Sequence, residues 1–457
     1  MKRLLLLITI FISTVSFGQV VFDETYNPTT GFCSGKQVVE FNGKYLVSIS
    51  NYSGALISFD FNSGNNPILE YSSQYDGISI FEASQNEFFS IERDFGSDID
   101  TTCISKFNNS LNKLWSYFLL NDIDSTDNID TSYVIRSLKA TNDGGCILGT
   151  IEREYDIIQD FNTNSTRLIK LNNVGQVEWS KNFPGVSNPY TINTSGGTSY
   201  FGRNTFYEII QSSDGSYIGI GGSDTLYCGW TSLWIFKLDQ TGDLIWENYI
   251  HPEILPDNTT TGMRGSNAIA EIGPNDFILA GGYDTGWNDP FNGFSSGYPV
   301  PNLIRIDGNG NIVQDSVFTT VQYGGFETLT LLNGDVYTTY DFENNLYYSN
   351  TVLAEIQQDF TINELYTADL MNDDNQSRSM ITSSDDAIVF TGIYADSLWL
   401  VKYKPEQTSI SELNSNQPKE LIKIVNLMGQ EVEYTPNTVL IYQYSDGTSE
   451  KVFTIED

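Results

Sequence analysis

Leu168-Ile-Lys-Leu-Asn-Asn-Val-Gly-Gln-Val-Glu-Trp179 returns as Ile235-Phe-Lys-Leu-Asp-Gln-Thr-Gly-Asp-Leu-Ile-Trp246, and again as Leu303-Ile-Arg-Ile-Asp-Gly-Asn-Gly-Asn-Ile312. Each copy is an apolar strand, a polar turn with glycine at a fixed place (Gly175, Gly242, Gly310), and a second strand. Glycine suits a turn residue held in the left-handed region, where a Cβ would clash. A second hairpin precedes each copy: Leu138-Lys-Ala-Thr-Asn-Asp-Gly-Gly-Cys-Ile-Leu-Gly149, then Ile209-Ile-Gln-Ser-Ser-Asp-Gly-Ser-Tyr-Ile-Gly-Ile220, then Ile269 to Gly281. The dipeptides Asp143-Gly144, Asp214-Gly215 and Asn333-Gly334 suggest mirror-image two-residue turns between its strands. The unit is therefore four short strands, designated a to d, with no convincing helical period anywhere.

Weaker copies fill the remainder. Anchoring on the start of strand b gives Tyr45, Phe88, Cys146, Tyr217, Phe277, Val336 and Ile388. Four strands repeated seven times predict an all-β chain folded as a seven-bladed β-propeller, with six blades and a stray strand as the alternative. The last copy stops early, because Lys404-Pro405 stands where its c–d turn belongs. An orphan strand, Val20-Val-Phe-Asp-Glu-Thr-Tyr26, opens the mature chain and is expected to complete that blade.

The flanks read differently from the repeats. Lys2, Arg3, the apolar run Leu4 to Val15, and the small residues Ser16 and Gly18 make residues 1–18 a secretory signal peptide. No later segment is apolar for long enough to span a bilayer, so no transmembrane segment is expected. The divisions are then 19–404 for the propeller, 405–418 for a polar linker and 419–457 for a tail. Within that tail, Lys419-Glu-Leu-Ile-Lys-Ile-Val-Asn-Leu-Met-Gly-Gln-Glu-Val432 and Tyr442 to Lys451 resemble the two motifs of the C-terminal sorting domain of type IX secretion cargo. Leu440-Ile441 stands where that family usually has glycine. The resemblance implies the secretion machinery as a partner, passage across the outer membrane, and a secreted, extracellular or outer-membrane-surface location. An unrelated small β-domain is the alternative.

Composition narrows the function. With 58 acidic and 23 basic side chains the formal charge is −35, a field that repels nucleic acid and anionic headgroups. Cys33, Cys103, Cys146 and Cys228 lack zinc-type spacing, and Cys146 reads as a small core residue. His251 is the only histidine, which removes multi-histidine metal sites and histidine-based triads. No glycine-rich nucleotide motif occurs. No cofactor is expected. A weak Ca²⁺ candidate is the acidic loop of Asp122, Asp124, Asp127 and Asp130. Asp307 to Asn311 has a similar look but fills a c–d turn and needs no ion. The run 141–145 resembles the Asp-box turn of sialidase-type propellers, whose role is structural.

Long connections fall on one face, at 151–166, 183–205, 223–232, 248–266 and 282–301, whereas a–b and c–d turns are tight. Long loops on a rigid scaffold are where binding is built. They carry Tyr190, Tyr200, Trp230, His251, Tyr283, Trp287, Phe291 and Tyr298. Such rings either stack on sugars and protein side chains or pack their own loops. Aligning repeats also places Arg136, Tyr207, Asn267 and Arg378 at one position early in the innermost strand, with Arg203 and Arg264 just before it in their own blades. The arginines either form an anion site or pair with Glu208, Glu271 or water. The candidate ligand residues are thus Trp230, Tyr283, Trp287, Arg136 and Arg378, and no catalytic residue stands out. A secreted or surface-displayed binding or adhesion module for glycan or protein is the leading expectation. A carboxylate-based glycoside hydrolase or polysaccharide lyase is the alternative.

Overall fold

The apolar runs quoted above fold into seven antiparallel sheets arranged around a channel, in a computed structural model of the chain. The structure describes residues 18–27, 33–50, 54–72, 77–84, 87–94, 101–120, 122–124, 129–156, 161–183, 190–194, 197–201, 204–226, 230–250, 263–264, 268–284, 299–318, 325–343, 349–368, 375–405, 421–426, 430–435, 437–444 and 449–453. Among these residues there is no helix. Blades 1 to 6 begin with the innermost strands Ser34–Phe41, Gly77–Ser84, Ile129–Ala140, Asn204–Gln211, Ala268–Gly273 and Phe326–Leu332. Blade 7 begins with Asn375–Ser383. Each innermost strand touches the next, and the seventh touches the first, so the ring is closed. Seven is therefore the blade count, and every strand-b anchor read from the sequence lies at the start of its strand.

The ring closes with the N-terminal strand. Gln19–Tyr26 pairs antiparallel with Ser397–Lys404 as the outer strand of blade 7, in a register that sets Thr25 opposite Trp399 and Phe22 opposite Lys402. Seven clusters of buried apolar side chains follow, each filling one junction between neighbouring blades. At the seventh junction Phe22 packs with Tyr45, Val389 and Leu400. Cys146 is a buried free thiol, as expected of a core residue, and so are Cys33 and Cys103; Cys228 lies outside the described residues.

Two recurrent residues explain the repeat signature. Trp115, Trp179 and Trp246 on the outer strands donate Nε1 to the carbonyls of Asn173, Gln240 and Gly308 in the next blade's c–d turn, at 2.9, 3.1 and 2.9 Å. Their rings lie on Gly175, Gly242 and Gly310, where an added Cβ would come within 2.6–2.7 Å of the indole. Phe22 repeats the contact at Gly64 of blade 1, so the closing strand carries its own version of the tryptophan staple. The second device is a buried lysine on strand c. Lys106, Lys170, Lys237 and Lys402 pair with Glu87, Asp143, Asp214 and Asp385, at or near the a–b turn of the same blade, at 2.7–3.0 Å. Where the staple is missing, at Gln314 opposite Arg305, a cleft of about 670 Å³ opens between blades 5 and 6.

Gly242 is constrained twice, by φ of 80° and by the Trp179 ring. Gly242→Ala is expected to cost more than about 2 kcal/mol, since left-handed backbone alone costs about 1–2. Gly43→Ala, with φ of 69° and nothing within 4 Å, should cost only the backbone part. Thermal melts of the two variants test the difference.

The turns need one correction. Asn333 and Gly334 both have positive φ, as the mirror-image turn requires, and so do Asn42 and Gly43. At 143–144 and 214–215 only the glycine does. There Thr141 N donates to Gly145 O, and Gly144 N to Thr141 O, giving a longer loop with a single left-handed glycine. Asp143 Oδ1 and Asp214 Oδ1 accept backbone N–H bonds inside these loops, which is why aspartate precedes the glycine.

Residues 407–457 form a separate compact unit. Its strands Leu421–Val425, Val439–Tyr444 and Ser449–Phe453 make one antiparallel sheet. Asn426 N donates to Gln430 O, and Gln430 N to Asn426 Oδ1, at 2.9 and 3.0 Å. The Asn and Gln of the tail's first motif thus clasp its loop.

Candidate ligand site at the channel mouth

Strand a begins on the long-connection face, and in five blades its pairing with strand b is broken there by a bulge. The register jumps from Gly35 to Gln37, Ile135 to Ser137, Phe206 to Glu208, Phe326 to Thr328 and Ser377 to Ser379. The extra residues are Lys36, Arg136, Tyr207, Glu327 and Arg378. A bulge turns its side chain out of the regular alternation, and here it does so at one level of the channel. Arg136, Tyr207, Glu327 and Arg378 line a cavity of about 220 Å³, which shares Gln37, Phe81 and Leu138 with a second of about 480 Å³ deeper in the channel.

Arg136, Tyr207 and Arg378 are therefore equivalent, as the alignment predicted; Asn267 lies outside the described residues. Lys36 and Glu327 were missed for a traceable reason. The a–b loop is shorter in blades 1 and 6, so an offset counted back from strand b lands on Gly35 and Phe326, one residue early. Arg93 was also missed. It sits on strand b of blade 2 and donates Nη2 to the Ile135 carbonyl at 3.0 Å, directly beside Arg136.

The cations are held close enough to feel one another. Burial, then the neighbouring charges of Arg136 and Arg153, pushes the Arg93 guanidinium below its ordinary value. Burial followed by Arg378 does the same to Lys36. The anticipated acidic partners are engaged elsewhere. Glu208 pairs with Lys139 at 2.6 Å and accepts from Ile269 N; Glu271 accepts from Ser212, Ser213 and Asn275. Arg378 Nη2 donates to Gln376 Oε1 at 2.6 Å, and Arg136 is exposed with no ion pair among the described residues.

On the blade-6 side the mouth is acidic but suppressed. Burial raises Glu327 against the pull of Arg378. Asp341 is pushed to about 7, chiefly by burial and further by Glu327, against a hydrogen bond from Thr351, one from the Ser377 backbone and the charge of Arg378. A carboxyl whose folded pKa lies above its unfolded value near 3.8 stabilises the fold while protonated, and that contribution is lost as pH rises toward 7. Wild-type melting temperature is thus expected to fall between about pH 4 and 7 and to level off above, and Asp341→Asn to flatten that fall. An identical pH slope in both proteins would exclude Asp341 as its source.

The aromatic candidates are placed only partly. Trp230 opens strand c of blade 4 opposite Leu226, and Tyr283 lies between Arg264 and Val300; both are described by backbone alone. Trp287, His251, Phe291, Tyr298 and Arg203 lie outside the described residues. Several supposed loops are strand. Residues 151–156 pair with 161–166 in a lengthened hairpin, and Tyr190–Thr194 pairs with Gly197–Phe201. Backbone pairing continues there without apolar alternation, so the sequence pattern did not reveal it. In the Ca²⁺ candidate, Asp122–Asp124 pairs with 129–131, and no cluster of three metal-ligating side chains occurs among the described residues. Asp307 closes its turn by accepting from Asn309 N and Asn311 N, both at 2.9 Å.

The geometry defines the chain as a seven-bladed β-propeller closed by its N-terminal strand. No protein-family model matches the sequence, and no curated protein does. Several solved structures are similar to the chain at low identity. Polysaccharide lyase Uly1 is similar with a TM-score of 0.50 at 9% identity, over 81% of this chain and 90% of that one. A streptogramin B lyase gives 0.44 at 13% identity, over 84% and 97%. The β-propeller domain of the Trilobed protease from Pyrococcus furiosus gives 0.43 at 10%, over 82% and 96%.

Proposed function

We propose that this protein is an exported binding or adhesion module that holds a glycan or protein ligand over the long-connection mouth of its channel. One observation carries the proposal: Lys36, Arg93, Arg136 and Arg378 gather at a cavity mouth in a chain of charge −35. Concentrating scarce cations at one opening focuses a local positive potential in an otherwise repulsive field. Export through the tail rests on its resemblance to type IX sorting domains, and the separate fold of 407–457 suits a detachable signal. Glycan-array and surface-protein capture with residues 19–404 tests the binding reading, and a blank result on both would retire it. Truncation after Pro418 is expected to leave the propeller folded and trapped in the periplasm. Its normal appearance in the medium would remove the export role.

The enzymatic alternative has one supporting observation, the carboxyls of Glu327 and Asp341 with raised pKa beside Arg378. Release of reducing ends from a polysaccharide panel, abolished by Asp341→Asn, would transfer the protein to that class.

A further inference from the structure

The cations of the mouth form an arc rather than a ring. Going round the channel, Arg378 of blade 7 is followed by Lys36, Arg93 and Arg136 of blades 1 to 3, then by Tyr207 of blade 4. Glu327 of blade 6 stands next to Arg378, at the end of the arc. Below the arc the wall is hydroxyl-rich, with Ser137, Thr328 and Ser379 lining the upper cavity. Gln37 lines both cavities, and its Oε1 is buried without a hydrogen-bond partner among the described residues. A buried acceptor of this kind is costly unless a donor meets it. Cations above and an open acceptor below match a ligand with a carboxylate at one end and hydroxyls behind it.

Size and charge restrict that ligand further. The upper cavity, about 220 Å³, joins the deeper one of about 480 Å³ along the channel. A long polyanion lying across the face would meet the remainder of a −35 surface. A single acid group entering end-on meets only the arc.

We infer that the channel mouth binds one acidic sugar at the end of a glycan chain, its carboxylate held by Arg136 and Arg378 and its hydroxyls directed toward Gln37. The inference rests on the binding reading above and names the ligand class for the same mouth. Lys36 and Arg93 act behind the two arginines by raising the local potential.

Calorimetry with aldobiouronic acid, a disaccharide carrying one glucuronate at its end, tests this against the same disaccharide with its carboxyl reduced to an alcohol. The acid is expected to bind, and the reduced form to bind at least about tenfold more weakly, as the loss of a charge-assisted pair implies. Arg136→Ala and Arg378→Ala should each weaken the acid severalfold without moving the melting temperature or the reduced form's affinity. Raising salt should weaken the acid alone. Polygalacturonate should bind no more tightly per chain end than the disaccharide. Equal binding of acid and reduced forms, no effect of either arginine, or no binding of the acid by folded protein would each overturn the inference. In those cases capture of some other glycan or protein on the array would leave the broader binding reading standing. A blank array would remove both.

Discussion

Removal of residues 19–26 is expected to destroy the cooperative melt of the propeller. The strand supplies seven register pairs to Ser397–Lys404 and two side chains, Phe22 and Tyr26, that pack into the seventh–first junction. Asp23 adds a polar lock: Trp399 Nε1 donates to it at 2.7 Å, and the Tyr366 hydroxyl of blade 6 donates to its other oxygen. Burying Phe22 contributes about 1.5–3 kcal/mol, and each ladder hydrogen bond about 0.5–1.5 net. Together these rival the 5–15 kcal/mol total of a typical domain. Phe22→Ala alone should cost about 3–5 kcal/mol. Asp23→Ala should cost about 1–3 by leaving the buried Trp399 indole unpaired. Val21, which is exposed, serves as the control, and Val21→Thr should be neutral. Calorimetric melts that stay sharp and unshifted in the deletion variant would show that the ring holds without its closing strand.

Lys402→Met is expected to be the most damaging single change among the buried lysines. Its ammonium is 1% exposed, pairs with Asp385 at 2.9 Å, donates to the Phe61 carbonyl of blade 1 at 3.1 Å and lies 3.9 Å over the Phe61 ring. It therefore joins strand c, the a–b turn and the neighbouring blade at the junction where the last blade meets the first. Breaking a buried pair from one side costs about 3–5 kcal/mol, toward the lower end here because Asp385 retains some water contact. Lys181→Met, which removes a more exposed pair with Asp243, should cost under about 1 kcal/mol. The contribution should also depend on pH. Partial burial raises the Asp385 carboxyl, but hydrogen bonds from Lys402 and Ser383 outweigh it and hold the group below its usual range. The pair then stabilises the fold above the unfolded value near 3.8 and is lost as pH falls through the folded one. The gap between wild type and Lys402→Met should close in acid; a gap constant down to pH 2 would mean that the loss is one of packing alone.

Much of the fold was legible because a propeller repeats itself. Gly175, Gly242 and Gly310 marked the c–d turns, and all three have positive φ in the structure. The absent fourth strand after Tyr403 pointed to Gln19–Tyr26. The candidate site was legible only in part. Arg136 and Arg378 were found by alignment, whereas Lys36 and Glu327 were lost to a single-residue difference in turn length. Arg93 belongs to another strand altogether, and no periodicity links it to Arg136.

By itself the sequence determined what depends on neighbours along the chain: strand lengths, turn positions, the number of repeats and the shortage of cations. Those features follow from local backbone chemistry and from apolar alternation. Tertiary structure alone decided which groups meet across the ring. The lysine of strand c reads as a misplaced charge until the hairpin brings an acid from the a–b turn onto it. Phe22 reads as any apolar residue until closure sets it on Gly64. The basic arc reads as scattered cations until three bulges turn Lys36, Arg136 and Arg378 of separate blades toward one opening, beside Arg93. Each of these contacts depends on register and closure, and neither is fixed until every blade has packed against the next.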